Sequence, residues 1–190
     1  MRIKLKKIIS NRSILKFFII SPLLFLPFIA SENKKAIAGF EFQWNAQESY
    51  KRLTWFQKNN TIRSRNKIYL FLRPSERKTG LLKITLDIPK RFRKILKEEK
   101  ISLCQVRIGG FESRTKCLEE ISADFEFTND KSQLNIFPYS PVPSNKKSYA
   151  IVFKVNNPRR SGLYQFHSYG QAPGKIPVSS YLGSWTIVIA

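Results

Sequence analysis

Short runs in which apolar and polar residues alternate with period two recur along this chain, each bounded by turn residues, and they restrict the fold more than any other feature. "KIYLFLR" sets Ile68, Leu70 and Leu72 on one face. "LLKITLDI" sets Leu82, Ile84, Leu86 and Ile88 on one face, with Lys83, Thr85 and Asp87 opposite. Between them "PSERKTG" reads as an exposed turn. Further strands are expected in "ISLCQVRIGGFESRTKCLEEISADFEF", "QLNIFPY" and "SYAIVFKV", with turns at Gly109-Gly110, at Asn129-Asp130 and over residues 141–147. The one helical pattern is "PKRFRKILKEEK", where Pro89 suits a first turn and Phe92, Ile95 and Leu96 fall at helical spacing. The pattern predicts an all-β protein: a single antiparallel β-sandwich, immunoglobulin- or jelly-roll-like, with one short helix near residues 90–98. The sandwich is expected over residues 67–190. Residues 39–66 form the least regular region, either an extended arm or a first strand with a helical turn.

The N-terminus has the form of a cleavable secretory signal peptide over residues 1–38. Six basic residues and no acidic one precede Phe17, an apolar stretch of 14 residues runs to Ala30, and Ala36-Ile37-Ala38 offers the small residues that signal peptidase reads. Fourteen residues broken by Pro22 and Pro27 are too few for a spanning helix, which needs about 20. Removal is therefore favoured over retention as an anchor, and no transmembrane helix is expected after it. A single arginine in "NRSILKFF" favours the general secretory route, and no cysteine near the cleavage region marks a lipoprotein. The expected location is outside the cytoplasm, in the periplasm or cell envelope.

The chain has 34 Lys+Arg against 13 Asp+Glu. Loss of residues 1–38 leaves 26 basic and 12 acidic residues, a net charge of +14 over 152 residues, enough for one domain. Residues 51–97 hold 15 basic residues against Glu76 and Asp87, whereas residues 98–190 hold 11 against eight. Such a block steers a protein toward polyanions. Lys51, Arg52, Arg63, Arg65, Lys67, Arg91, Arg93 and Lys94 are the candidate anion-binding residues. Their expected partner is an acidic envelope component or a membrane surface: anionic lipid, acidic glycan or acidic protein. The compositional reading is that Lys, Asn, Ile, Phe and Tyr share A/T-rich codons. Trp55, Phe56, Tyr69 and Phe71 interleave with the basic block as on a nucleic-acid platform. Alternation and export assign these residues to core and cover instead, and a nucleic-acid partner is not expected.

Two cysteines, Cys104 and Cys117, remain in a compartment that permits disulfides. A hairpin with residues 109–112 as a four-residue loop sets Cys104 directly opposite Cys117. Both then fall on apolar parity, Cys104 with Val106 and Ile108, Cys117 with Ile121, Ala123 and Phe125. Opposed backbones in a non-hydrogen-bonded pair lie about 4.5–5.5 Å apart, within disulfide reach. A two-residue turn on Gly109-Gly110 makes the cysteines diagonal and disfavours the bond. Closing so short a loop stabilises by roughly 3 kcal/mol in the chain-entropy model. Their spacing is too wide for a redox-active Cys-x-x-Cys pair.

No catalytic motif is recognisable, and neither enzyme activity, metal nor cofactor is expected. The only histidine, His167, shares a strand face with Leu163, Gln165 and Tyr169 and reads as an ordinary strand histidine. Two cysteines and one histidine do not compose a zinc site. In "EEISADFEF", Ile121, Ala123, Phe125 and Phe127 alternate with Glu120, Asp124 and Glu126, whose two-residue neighbours stand about 7 Å apart. That spacing suits a carboxylate pair for glycan hydrolysis, but it is also the solvated face of any amphipathic strand, and that reading is favoured.

The closing stretch "VPSNKKSYAIVFKVNNPRRSGLYQFHSYGQAPGKIPVSSYLGSWTIVI" resembles the end of the cyanobacterial exported family known as domain of unknown function 2808. The residues carrying the resemblance are Asn157 and Pro158, then Gly162, Tyr164 and Phe166, then Pro173 and Gly174, and finally Tyr181, Leu182 and Gly183. "LLKITLDIPK" also looks like the family's early strand, so the similarity spans residues 67–189. The resemblance implies a mostly β, signal-bearing extracytoplasmic protein of a photosynthetic bacterium, and it carries over no catalytic residues. Together these observations favour a non-catalytic envelope protein, with an envelope glycan hydrolase and a purely structural component as alternatives. Thiol titration of the denatured, unreduced protein is expected to find no free thiol, and two titratable thiols would contradict the cysteine pairing.

Overall fold

The computed structural model describes residues 41–42 and 51–190. The signal peptide expected over residues 1–38 lies outside the described residues. The strands are β1 (Glu41–Phe42), β2 (Trp55–Gln57), β3 (Arg65–Leu72), β4 (Lys83–Asp87), β5 (Ile101–Arg107), β6 (Lys116–Ile121), β7 (Ala123–Phe127), β8 (Gln133–Pro138), β9 (Ser148–Asn156), β10 (Gly162–Gln171) and β11 (Ser179–Ile189). One sheet runs β11-β10-β4-β8-β7, with β1 added in parallel beside β10, and the other runs β2-β3-β9-β5-β6. All other strand pairs are antiparallel. The all-β sandwich read from alternation is the fold.

Alternation also identifies the core. Ile68, Leu70 and Leu72 of β3, Ile151, Phe153 and Val155 of β9 and Leu103 of β5 face Ile84 and Leu86 of β4, Leu134 and Ile136 of β8, Tyr164 and Phe166 of β10 and Trp185, Ile187 and Ile189 of β11, all buried. Phe92 meets Tyr164 and Phe166 edge-on, at ring-centroid distances of 5.2 and 5.0 Å. A smaller apolar cluster, Tyr69, Phe71, Cys104, Val106, Ala150 and Val152, occupies the other face of the second sheet.

The helix expected near residues 90–98 is a run of turns followed by a 3-10 turn at Glu98–Lys100. The Phe92 amide donates to the Pro89 carbonyl and the Leu96 amide to the Phe92 carbonyl, so a single α-type bond closes within the run. One turn does not repay helix nucleation. The apolar spacing was still informative, because Phe92 and Leu96 are fully buried. "PSERKTG" likewise departs from an exposed turn. Arg77 is buried, its Nε donates to the Leu72 carbonyl, and its terminal nitrogens donate to the carbonyls of Pro143 and Lys147. Its guanidinium also lies 4.6 Å from the Tyr149 ring centroid. Burial lowers its pKa from the ordinary value, against opposing contributions from Tyr149 and Glu76.

Each sandwich seam is crossed by one continuous segment. At one side β6 pairs with β5 and β7 with β8, the switch falling at Ser122, whose carbonyl accepts from the Tyr139 amide. At the other, residues 51–53 hold β11: the Ser184 amide donates to the Lys51 carbonyl and the Leu53 amide to the Ser184 carbonyl, each at 2.8 Å. The chain then enters the opposite sheet, where Trp55 pairs with Leu70 and the Phe71 amide donates to the Thr54 carbonyl. The boundary expected at residue 66 therefore falls inside β3, and residues 51–66 are part of the sandwich. The segment looked irregular because its pairing is divided between two sheets. Since residues 51–53 leave β3 for β11, the Phe71 carbonyl takes the indole N–H of Trp185 at 3.1 Å. Close approach dictates Gly183 (φ 141°), where a Cβ would stand 2.7 Å from both Leu53 Cγ and the Lys51 carbonyl.

Cys104 and Cys117 form the expected disulfide, with Cα atoms 5.8 Å apart, but the register differs from the expected one. Cys104 pairs with Glu120 and Cys117 with Val106, and the loop covers residues 108–115 rather than four positions. The loop of eight residues, 108–115, is the physical cause of the offset: with Arg107 opposite Lys116, Cys117 meets Val106 and the bond runs diagonally. A β-bulge at Leu118 then adds one residue and reverses the alternation of β6, so Cys117 shares a face with Cys104 and Val106 and not with Ile121.

In the turn between β7 and β8, Asp130 Oδ1 accepts from the Ser132 amide (3.0 Å), the Ser132 hydroxyl (2.7 Å) and the Thr128 hydroxyl (2.9 Å). Arg93 stands 3.6 Å from its other oxygen. These donors, the Ser132 amide first, lower the Asp130 pKa to about 2.

Replacing Trp185 by Phe leaves the Phe71 carbonyl buried without this donor and is expected to cost about 1–3 kcal/mol in urea unfolding. An unchanged midpoint would remove the bond from the structural argument. A carboxyl whose folded pKa is depressed stabilises above its unfolded value, about 3.9, and loses that contribution as the pH falls through the folded value. NMR titration of Asp130 is thus expected to show a midpoint near 2, and Asp130→Asn to flatten the stability profile between roughly pH 4 and 2.

Candidate functional site

Two strands and a turn bring basic residues together at one end of the second sheet. β3 begins at Arg65 and β9 ends at Asn156, so Arg65 lies opposite Asn156 and Lys67 directly opposite Lys154. Beside them the 3-10 turn Glu98–Lys100 leads into β5, which pairs with the other edge of β9. A depression of about 480 Å³ forms there, with Arg65, Lys97, Lys100 and Lys154 as its cations and Asn66 and Asn156 among its polar walls. Among the described residues that line it, none is a carboxylate. Glu99 lies 4.0 Å from Lys97, but both side chains are well exposed and water weakens the pair.

A buried amide knot sets the shape of this end. Asn66 Nδ2 donates to Asn157 Oδ1 at 2.9 Å, and Asn157 Nδ2 donates to the carbonyls of Asn59 and Thr61. Asn66 Oδ1 accepts from the Asn59 amide. The start of β3, the end of β9 and the turn between β2 and β3 are thereby tied together. Arg65 can meet a carboxylate or phosphate with two parallel N–H donors, while the lysines act as mobile point charges. Like charges directly opposite across a strand pair oppose folding. Lys67 over Lys154 is such a pair, only partly relieved by Lys67 Nζ standing 5.0 Å from the Tyr69 ring centroid.

Of the eight basic residues singled out from sequence, Arg65 lines the depression and Lys67 borders it through its partner Lys154. The others are spread elsewhere. Lys51 and Arg52 lie at the β11 seam. Arg63 has φ 57° in the β2–β3 turn, where its amide donates to the Pro158 carbonyl. Arg91 and Lys94 are exposed in the turns after Pro89, and Arg93 is engaged by Ile88 and Asp130. Lys97, Lys100 and Lys154 complete the depression and were not among the eight. Lys97 and Lys100 could have been found as the continuation of the basic run, whereas Lys154 needed the strand register.

The closing-motif residues have architectural roles. Asn157 is in the amide knot, and Pro158 supplies the carbonyl that holds Arg63. Gly162 opens β10, where it pairs with both β1 and Ile189. Tyr164 is buried with its hydroxyl donating to the Arg160 carbonyl at 2.7 Å, and Phe166 and Leu182 are core residues. Pro173 and Gly174 lie in the exposed connector between β10 and β11, and Gly183 admits residues 51–53.

His167 Nδ1 is 2.6 Å from Ser184 Oγ, which is also 2.6 Å from the Tyr181 hydroxyl. Ser184 is fully buried, which denies it the open approach a nucleophile requires. Glu120, Asp124 and Glu126 are all exposed, but the switch at Ser122 assigns Glu120 to one sheet and the other two to the opposite one. Asp124 accepts the Tyr139 hydroxyl at 2.9 Å, which raises that phenol's pKa. Among the described residues, no group of three or more His, Cys, Asp or Glu side chains could hold a metal ion, and no helix is long and apolar enough to cross a membrane.

The crystal structure of BslA, a bacterial hydrophobin, aligns at 13% identity and a TM-score of 0.46, covering 73% of this chain and 97% of that one. The collagen-binding domain from a Staphylococcus aureus adhesin aligns at 11% identity and a TM-score of 0.34, covering 71% and 95%. At these values neither bears on function. No curated protein matches the chain. The family described as protein of unknown function (DUF2808) matches residues 42–189, nearly the whole described sandwich and the stretch whose motifs resembled it. The chain belongs to the DUF2808 family.

Proposed function

We propose that this protein is an exported, non-catalytic component of the cell envelope of a photosynthetic bacterium, and that it holds an acidic partner in the depression formed by Arg65, Lys97, Lys100 and Lys154. The observation that carries this reading is the convergence of four cations from three chain segments on one hollow, with a like-charge pair, Lys67 and Lys154, at its margin. Such a cluster opposes folding unless an anion offsets it. Phosphate, sulfate and carboxylate groups share the chemistry it fits, so anionic lipid headgroups, acidic glycans and acidic protein segments belong to one partner class. Export is supported by the basic and apolar N-terminal sequence with its Ala-x-Ala end, and by a disulfide that an oxidising compartment would preserve.

Binding to a soluble polyanion, dextran sulfate or polygalacturonate, is expected at low salt and is expected to weaken steeply as salt rises. Reversal of Lys97, Lys100 and Lys154 to Glu should reduce affinity by about fivefold or more per site, from roughly 1 kcal/mol for each cation. The same reversals at Lys51 and Arg52 should have much smaller effects. Salt-independent binding, or equal losses at both sets of positions, would refute the site and leave a purely structural role.

A further inference from the structure

The disulfide-stapled hairpin of β5 and β6 ends in a loop, residues 108–115, whose tip is Phe111 at 108% relative exposure, the most exposed large apolar side chain described. The loop is built rather than slack. The Gly109 amide donates to Thr115 Oγ1 and the Gly110 amide to the Ser113 carbonyl, each at 2.9 Å. A Cβ at Gly109 would stand 2.5 Å from the Thr115 amide nitrogen, so glycine is required for this closure. Below it the Cys104–Cys117 bond fixes the hairpin. Arg107, Arg114 and Lys116 flank the tip and are exposed, with Glu112 as the one acid within residues 107–116. Beside the loop is a hollow of about 540 Å³, walled by Phe56, Lys58, Arg114 and the loop backbone at Gly109, Gly110 and Ser113.

We propose that this loop is a membrane-contact element that inserts Phe111 into the interfacial region of an anionic bilayer while Arg107, Arg114 and Lys116 meet lipid phosphates. An aromatic ring at the tip of a rigid turn gains burial in a fluid interface without a complementary pocket, and basic neighbours add attraction to an anionic leaflet. A second copy of the chain is the poorer occupant, because it would bring the same cations against one another. The element lies at the Arg107 end of β5, about 20 Å along the strand from the depression at Lys100. Lys58 is left unchanged in the test because its amide donates to the carbonyl of Lys67 at the margin of the depression, and the reversals are confined to Arg114 and Lys116 of the loop and its hairpin.

The position-specific probe is the full chain with Phe111→Trp, read against the wild type, whose Trp44, Trp55 and Trp185 set the background. On vesicles of phosphatidylcholine with phosphatidylglycerol, the added emission should shift to the blue and be quenched by lipids brominated in the acyl chain. Neither change should occur on phosphatidylcholine alone. Adding Arg114→Glu and Lys116→Glu should displace the binding curve at least tenfold, at about fivefold for each cation. Emission from position 111 that is unaltered by anionic vesicles overturns the proposal. So does a blue shift that grows with protein concentration without lipid, which would assign the tip to self-association.

Discussion

The indole N–H of Trp185 reaches from one sheet to the carbonyl of Phe71 in the other, at a point where β3 has lost its neighbour because residues 51–53 have crossed to β11. Everything at that seam follows from the need to satisfy buried backbone groups while one segment serves two sheets. Gly183 has no side chain because Leu53 and the Lys51 carbonyl occupy the space, and Ser184 exchanges backbone bonds with residues 51–53. The opposite seam solves the same problem with Ser122. At each seam one continuous segment therefore pairs with both sheets and ties them together.

This closure allows the surface to be highly charged. Stability resides in the fully buried cluster around Trp185, Phe166 and Phe153 and in the Asn66–Asn157 knot, so the ends of β3 and β9 can carry Arg65, Lys67 and Lys154 in proximity. Acidic residues could have neutralised that end, and in the Thr128–Ser132 turn one does oppose an arginine: Asp130 faces Arg93. At the depression, the ion pair among the described residues is the exposed Lys97–Glu99 pair, at 4.0 Å. The contrast between the two places is why the depression is read as a site and the residue 90–94 turns as solvated surface.

Strand positions and the inward residues were legible in the sequence because burial on one face imposes period two, and even the misassigned helix at Phe92 and Leu96 pointed the right side chains inward. Register was not legible. A loop longer than the expected four residues puts Cys117 opposite Val106, so the disulfide was anticipated with its partners directly opposed when they are diagonal, and the bulge at Leu118 reverses alternation without an obvious signal. The same blindness hid Lys154, which joins Arg65 only through the pairing of β3 with β9, where Lys67 meets Lys154 and Arg65 meets Asn156. The crossing at residues 51–57 was missed because three residues in each sheet are too few to show a period. The closing stretch, by contrast, announced itself through Gly183, Tyr164 and Asn157, each of which has a backbone-level task.

The depression as the anion site is tested most directly by mapping backbone amide resonances while a short sulfated oligosaccharide is added. The largest shifts should fall at residues 65–66, 97–100 and 154–156 and should fade together as salt is raised. Shifts centred on residues 51–52 or 90–94, or spread evenly over all exposed lysines and arginines, would contradict a built site and leave only the diffuse positive charge of the chain.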